Sequence, residues 1–509
     1  MTPRIGVRRF IPPFLNAVSG SGSRVATFAR TWGVRGDAHV LAGLLRDGRR
    51  VGPAAFRRAG PPENNVIEDG GPAFEASLSH PTADFQQAVA NVAIVLKVLL
   101  AVGFILCGMS PALVADVPRV TLFDADGRET SGPLQAISHE SIRIGDSSAE
   151  WRWPDVVWLR FGPVESLPHE PRGSAIWLAN GDRLIARGTA IEDEQLRAVW
   201  RGFPEWPNFA LPLESVRGMS LSLPHARERR DEIAAWLFDR KNARDELRLL
   251  NGDLSSGEVS GWRNETIDLK TAGRGVTLPI ADVRDVAFNP ELLALPEPKE
   301  LCWLVSLRDG SRVTLLASKS RVEKTTLKAA HVSGVVWDIP LEAIFEIRVL
   351  RGRTVYLSDL TPLEAKHTPF LPGSREWLLQ RDRSAAGRPL RLGGREFPKG
   401  VGLHSRSTAT FDLAGKYRAF HAVVGLDDTS VGEGTAACAV EVDGHCVFEQ
   451  PVLSRSQRPT RLPIIDVTGA KRLTLTVDFG ELGDSQDHVD WGDAVLLRSS
   501  EEWKMKNGK

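Results

Sequence analysis

Between Pro118 and Arg351 the apolar residues come in short alternating runs, and four times such a run leads into a tight-turn dipeptide. Val120 to Phe123 precede Asp126-Gly127, Ala175 to Leu178 precede Asn180-Gly181, Leu247 to Leu250 precede Asn251-Gly252, and Leu304 to Leu307 precede Asp309-Gly310. Alternation with period two marks a strand with one buried face, and Asn-Gly or Asp-Gly marks a hairpin in which both turn residues accept positive φ. The runs also close alike, on Trp153-Pro154-Asp155-Val156, Leu211-Pro212-Leu213-Glu214-Ser215-Val216, Leu278-Pro279-Ile280-Ala281-Asp282-Val283 and Ile339-Pro340-Leu341-Glu342-Ala343-Ile344. The interval from turn glycine to closing proline (Gly127 to Pro154, Gly181 to Pro212, Gly252 to Pro279, Gly310 to Pro340) stays close to about thirty residues. This predicts four small antiparallel β repeats of SH3-like or small-barrel type, two over 117–222 and two over 247–351, each burying its open face against a neighbour. The turns lack the dense carboxylates of a calcium loop and the glycine pattern of a phosphate cradle, so hairpin chemistry accounts for them.

Residues 223–246 change period: Ile233, Trp236 and Leu237 share one helical face, which predicts a helical linker. After Arg353 the alternation resumes. Ala437 to Val442 and His445 to Phe448 flank Asp443-Gly444, and Leu473, Leu475 and Val477 form one buried face, the pattern of an antiparallel sandwich. If Asp443-Gly444 closes a two-residue hairpin, Cys446 faces Glu441 and Cys438 faces Glu449. The thiols then lie roughly 10 Å apart and unbridged.

Upstream, residues 1–87 carry arginines such as Arg4, Arg8, Arg9, Arg49, Arg50, Arg57 and Arg58, no lysine and little apolar periodicity, which predicts disorder. From Val89 to Ala115 the chain is strongly apolar, with Lys97 ahead of Val98 to Leu106 and small residues near Ala115. That layout, over 88–115, is a signal peptide or signal anchor. Because such a signal normally begins a protein, translation is expected to start near Val92 or Val95, leaving 1–87 untranslated. The expected location is exported (periplasm, cell surface or extracellular), with 89–109 a membrane anchor if the signal is retained.

Over 509 residues, Lys plus Arg and Asp plus Glu are both 64, so no net field gathers a polyanion, and nucleic acid is excluded as a partner. Fourteen tryptophans against two tyrosines suit buried cores or stacking platforms alike.

The chemistry concentrates near the C-terminus. Val355 to Pro362, His367-Thr368-Pro369-Phe370, Arg381-Asp382-Arg383, Pro389 to Gly394 and Phe397 to Ser405 are followed by Val424-Gly425-Leu426-Asp427-Asp428, Val442-Asp443-Gly444, Asp466 to Lys471 and Asp487 to Ala494. In this order and spacing, 353–499 resembles the NPCBM family, modules named for carbohydrate binding and often attached to glycoside hydrolases. Gly492 departs from the alanine common there. The resemblance implies a galactose-binding-like jelly-roll β-sandwich, a glycan or polysaccharide as partner, and a functional neighbourhood of His404, Asp427, Asp428, Asp487, His488, Asp490 and Trp491. Sandwiches of this kind often hold a structural calcium, for which Asp427, Asp428 and Asp490 are the candidate ligands. A pyranose offers an apolar C–H face and a rim of hydroxyls, so a site for it needs an aromatic face and fixed polar groups. For each of these residues a structural role stays open: Asp490 and Asp493 could tie down a strand end, and Trp491 could be core.

No glycosidase groove, G-x-S-x-G elbow, zinc motif or nucleotide loop is present in the sequence. Glu481, Asp484 and Asp487 read as solvated residues of a surface loop. The expectation is an all-β, non-catalytic carbohydrate-binding protein of the bacterial cell envelope or periplasm. The alternative is a structural or interaction protein without sugar affinity, its repeats recruiting envelope protein partners.

Overall fold

The computed structural model describes residues 118–499 and Trp503, apart from 146–148, 164–168, 170, 202–207, 264, 272, 431–433 and 482. The segments expected to be disordered (1–87) and to form a signal or anchor (88–115) lie outside the described residues. Among the described residues no helix is long and apolar enough to cross a membrane.

From Arg119 to Leu350 the chain is antiparallel β structure in which one strand order recurs. In the first stretch, Arg119–Asp124 pairs with Glu129–Ile137, that strand with Ser141–Ile144, and that with Glu150–Arg152. A single 3-10 turn, Trp153–Asp155, then leads into Val156–Phe161, which pairs back onto Arg119–Asp124. The same return pairing joins Val216–Ser220 to Ser174–Leu178, Val283–Ala287 to Asp245–Leu249, and Ile344–Leu350 to Cys302–Leu307. The returning strands also pair with one another, Val156–Phe161 with Ile344–Leu350 and Val216–Ser220 with Val283–Ala287. Trp153, Trp200, Trp262 and Trp303 are fully buried in the core that results.

The hairpin dipeptides sit in turns as expected, but of a different kind. Only the glycines, Gly127, Gly181, Gly252 and Gly310, have positive φ. In each turn the glycine N–H donates back three residues and the hairpin closes over four, as in Gly181 to Leu178 and Leu178 to Asp182. This is a three-residue loop, a type I turn followed by one left-handed residue, so only one position needs glycine. Asn180, Asn251 and Asp309 instead use their side chains to accept from the backbone two residues on.

The helix between the second and third stretches runs Arg227–Asp239 and buries Ile233 and Leu237, with Trp236 partly covered. It does more than link. Its Asp231 receives both guanidinium nitrogens of Arg391, in the following sandwich, at 2.5 and 2.7 Å.

Residues from Thr354 onward form two antiparallel sheets. Ser407–Asp412, Arg472–Phe479, Thr435–Val442 and their neighbours Glu364–His367 and His445–Ser454 make a five-stranded sheet, with Leu473, Leu475 and Val477 buried. The Asp443-Gly444 turn does place Cys446 opposite Glu441, but a bulge between Val440 and Glu441 leaves Cys438 opposite Gln450 rather than Glu449. Cys302, Cys438 and Cys446 are free thiols. The second sheet, of seven strands, centres on Gly400–His404, His488–Arg498 and Tyr417–Leu426.

Strand His488–Arg498 is buried along nearly its whole length because each of its faces is covered. Val489, Trp491, Ala494 and Leu496 face the sandwich core, while Val495 and Leu497 pack with Phe123, Val157 and Trp158 of the first stretch. The change of phase between Trp491 and Ala494 is a β-bulge at Asp493, whose φ of 51° lies in the left-handed region. The bulge aims the Asp493 carboxylate at Arg348, 2.5 Å away, and Arg348 also holds Glu346 at 2.6 Å, itself held by Arg160 at 2.6 Å. Burial would raise the Glu346 pKa, but Arg348, Arg395 and Arg160 hold it well below the usual carboxylate range.

Arg348→Met should therefore leave two buried carboxylates short of their main counter-charge and cost about 3 to 5 kcal/mol of stability. Urea unfolding of the two proteins checks this, and an unchanged midpoint would refute it.

Candidate functional site

Strand Gly400–His404 and the start of strand His488–Arg498 run side by side, with His404 directly opposite His488. Cross-strand partners share a face, and the two imidazoles lie 5.1 Å apart. The loop after strand Glu364–His367 folds back over them. It brings Trp377 flat against His404, at 4.6 Å and 8° between planes, and edge-on to His488 at 5.1 Å. The guanidinium of exposed Arg375 lies 4.2 Å from the Trp377 ring centre.

Hydrogen bonds fix this arrangement. The Trp377 backbone N–H donates to His367 Nδ1 (3.2 Å), so His367 carries its proton on Nε2 and donates to the Ser405 carbonyl (3.1 Å). His404 Nδ1 donates to the same carbonyl (2.7 Å), leaving its Nε2 as the open position. Asp487 accepts the Ser405 hydroxyl at 2.7 Å. Burial holds the His404 pKa below its ordinary value, and burial with the nearby His404 holds His488 down at about 4. Burial also pushes Asp487 up to about 6, against the pull of Ser405. The two imidazoles are thus neutral near pH 7, set against the indole of Trp377 and the cationic Arg375, with exposed Leu378 next in the chain.

Of the expected residues, His404, Asp487 and His488 come together here. Asp487 is fully buried, unlike the solvated loop position expected, whereas Glu481 is exposed and Asp484 half-buried. Trp491 is not a surface contact: it is fully buried in the sandwich core. Its strand is covered on both sides, a burial that alternation alone does not reveal. Trp377, His367 and Arg375 were not among the expected residues. The available signal for Trp377 was a lone tryptophan within the polar run Ser374-Arg375-Glu376, directly after the His367 motif.

Asp427, Asp428 and Asp490 have other partners. Asp428 accepts from the backbone N–H groups of Gly393 (2.9 Å) and Gly394 (2.7 Å) and closes that turn. Asp427 accepts from Thr429 N–H and, with Asp490, from the single N–H of Arg391, at 3.2 and 3.0 Å. Burial and the adjacent Asp427 push Asp490 well above the carboxylate range, so Asp490 holds its proton beside Asp427. Calcium takes six to eight oxygens. With Asp428 turned away, the three aspartates do not converge on one ion, and among the described residues no group of three His, Cys, Asp or Glu side chains does.

With the geometry in view, residues 353–497 match the family model of the NPCBM/NEW2 domain. A curated relative from Renibacterium salmoninarum, named "Putative endo-alpha-N-acetylgalactosaminidase", is 27% identical over 158 residues, which are 31% of this chain and 10% of the relative. The chain thus spans about a tenth of the length of the curated relative it matches. Among solved structures, the CBM51 module of a Clostridium perfringens GH95 protein, in complex with methyl-galactose, is 28% identical. It covers 28% of this chain and 99% of its own, with a TM-score of 0.26. The CBM51-2 and INT domains of Clostridium perfringens ZmpB are 26% identical, covering 37% of this chain and 36% of theirs, with a TM-score of 0.25.

Two outcomes follow from the electrostatics. A histidine whose folded pKa is depressed stabilises the fold above its unfolded pKa, here 6.5, and that stability is lost as pH falls toward 4. The thermal midpoint of the native chain should therefore drop more between pH 6.5 and 4.5 than that of His488→Gln; parallel curves would contradict this. Chelation with EDTA should leave the midpoint unchanged, and a clear fall would put a cation between Asp427 and Asp490.

Proposed function

We propose that the C-terminal sandwich binds carbohydrate without catalysis, at the rim formed by Trp377, His404, His488 and Asp487, on an exported protein of the bacterial envelope or periplasm. The observation that carries this is the pairing of an indole with neutral hydrogen-bonding groups at one end of a sandwich that matches a domain family named for carbohydrate binding. A pyranose would lay its C–H face on the Trp377 and Arg375 edge and offer hydroxyls to His404 Nε2 and to His488, with buried Asp487 holding the Ser405 hydroxyl behind them. The neutral imidazoles of His404 and His488 suit neutral hydroxyls, because they surrender no ion's hydration on binding.

The stretch from Arg119 to Leu350 is, in this proposal, four copies of one small SH3-like unit serving as a platform. Its support is the recurring strand order and the matching link from each hairpin to its 3-10 turn: Ala125 to Asp155, Ala179 to Ser215, Leu250 to Asp282 and Arg308 to Ala343. The platform covers one side of the sandwich, which favours a sugar held at the rim rather than across the sheet face.

Calorimetric titration of the full chain with galactose, N-acetylgalactosamine, N-acetylglucosamine and oligosaccharides ending in them tests the proposal. Trp377→Ala should weaken binding at least about tenfold, a loss of roughly 1.4 kcal/mol or more, with the circular dichroism unchanged. A folded native chain inert to the whole panel would favour the structural role instead.

A further inference from the structure

Where the sandwich meets the platform, a cavity of about 120 Å³ lies between the helix Arg227–Asp239, the strands around Arg183 and Arg312, and the hairpin Leu390–Phe397. Six arginines line it, Arg183, Arg227, Arg230, Arg312, Arg391 and Arg395, against three carboxylates, Asp231, Glu346 and Glu396.

The carboxylates are already shared. Asp231 is taken bidentately by Arg391. Glu396 serves Arg312 at 3.0 Å and Arg391 at 3.4 Å. Glu346 serves Arg160, Arg348 and Arg395, and Asp493 also reaches Arg395 at 3.9 Å. Arg183 is left with a carbonyl: its Nε and one terminal nitrogen both donate to Gly310, at 3.1 and 2.9 Å, and it forms no ion pair among the described residues. Its strand position makes this worse, because Arg183 stands directly opposite Arg312 across an antiparallel bridge. Like charges facing across strands repel, and a guanidinium withdrawn from water without a counter-charge is costly. Consistent with that, burial lowers the pKa of Arg183 and brings that of Arg395 down to about 10.

A guanidinium with no ion pair among the described residues, Arg183, standing opposite Arg312 in a space the size of a few water molecules, is the arrangement that holds a small anion. We propose that this cavity binds a compact oxyanion, a carboxylate, sulfate or phosphate group, through Arg183, Arg312 and Arg395. The group arrives either as a free inorganic anion or as the acidic substituent of a glycan. Arg227 and Arg230 also line an outer recess, with His225, Arg455 and the acidic Glu228 and Asp428. This site is separate from the Trp377 rim and does not depend on it: neutral sugars can fail to bind while the anion still does.

The test is calorimetric titration of the full chain with sodium sulfate, sodium phosphate, glucuronate and a sulfated monosaccharide, in chloride buffer at matched ionic strength. A saturable, single-site response to at least one of them is expected, weakened tenfold or more in Arg183→Gln. Tighter binding of glucuronate or the sulfated sugar than of inorganic sulfate identifies a glycan as the source; the reverse order identifies a free anion. No saturable binding of any of the four, or equal binding by a natively folded Arg183→Gln, overturns the proposal. Should that variant fail to fold, the native chain decides alone: its thermal midpoint must rise with sulfate or phosphate above its value in chloride of equal ionic strength, and the absence of a rise overturns the proposal as well.

Discussion

The fold turns on a single left-handed residue. At Asp493 the longest sandwich strand bulges, and that one step moves the side chains after it to the opposite face. Before the bulge, Val489 and Trp491 fill the sandwich core; after it, Val495 and Leu497 reach the platform while Ala494 and Leu496 continue inward. The bulge also delivers the Asp493 carboxylate to Arg348. Buried ion pairs add little net stability relative to apolar packing, but they punish any other arrangement severely. Together with Asp231 and Arg391, and with Arg353 bonded to Asp155 at 2.7 Å, they define one seating of sandwich on platform.

Much of this was legible in the sequence, and what was not has a common cause. Features encoded locally could be read: the turn glycines, the alternation of Leu473, Leu475 and Val477, the helical spacing of Ile233 and Leu237, and the ordered motifs from Val355 to Ala494. Features depending on what lies on the far side of a sheet could not. Trp491 sits in a motif-bearing strand and is adjacent to acids, as a ligand contact would be, yet it points into the sandwich core and is fully buried there. Even the departure at Gly492 has a steric reason: a Cβ there would meet the Phe397 ring at 2.6 Å. Trp377 was invisible for the opposite reason, since a tryptophan in an irregular polar loop has no periodicity to read. The arginines of the seam looked like ordinary surface charge in a chain of zero net charge, because decisive partners are more than a hundred residues away in sequence, as for Arg348 with Asp493 and Arg391 with Asp231.

The rim and the seam lie on the same strand and follow opposite electrostatic rules. At its start, burial without a strong counter-charge keeps His488 and His404 from gaining a proton and raises the pKa of Asp487 to about 6. Near its middle, burial among arginines has the opposite result: Glu346 and Glu396 stay ionised, Glu396 at about 2, although desolvation opposes it. Five residues separate His488 from Asp493, roughly 17 Å of extended chain. Over that distance the protein passes from an aromatic edge with neutral imidazoles to a lattice of guanidinium and carboxylate groups. In the proposed scheme a neutral hydroxylated ligand pays little to meet the first, while an oxyanion is drawn to the second by Arg183. A glycan carrying both a neutral terminal sugar and an acidic substituent would thus meet two surfaces with different preferences. Selectivity of this kind comes from how each end of one strand is desolvated, not from any single contact.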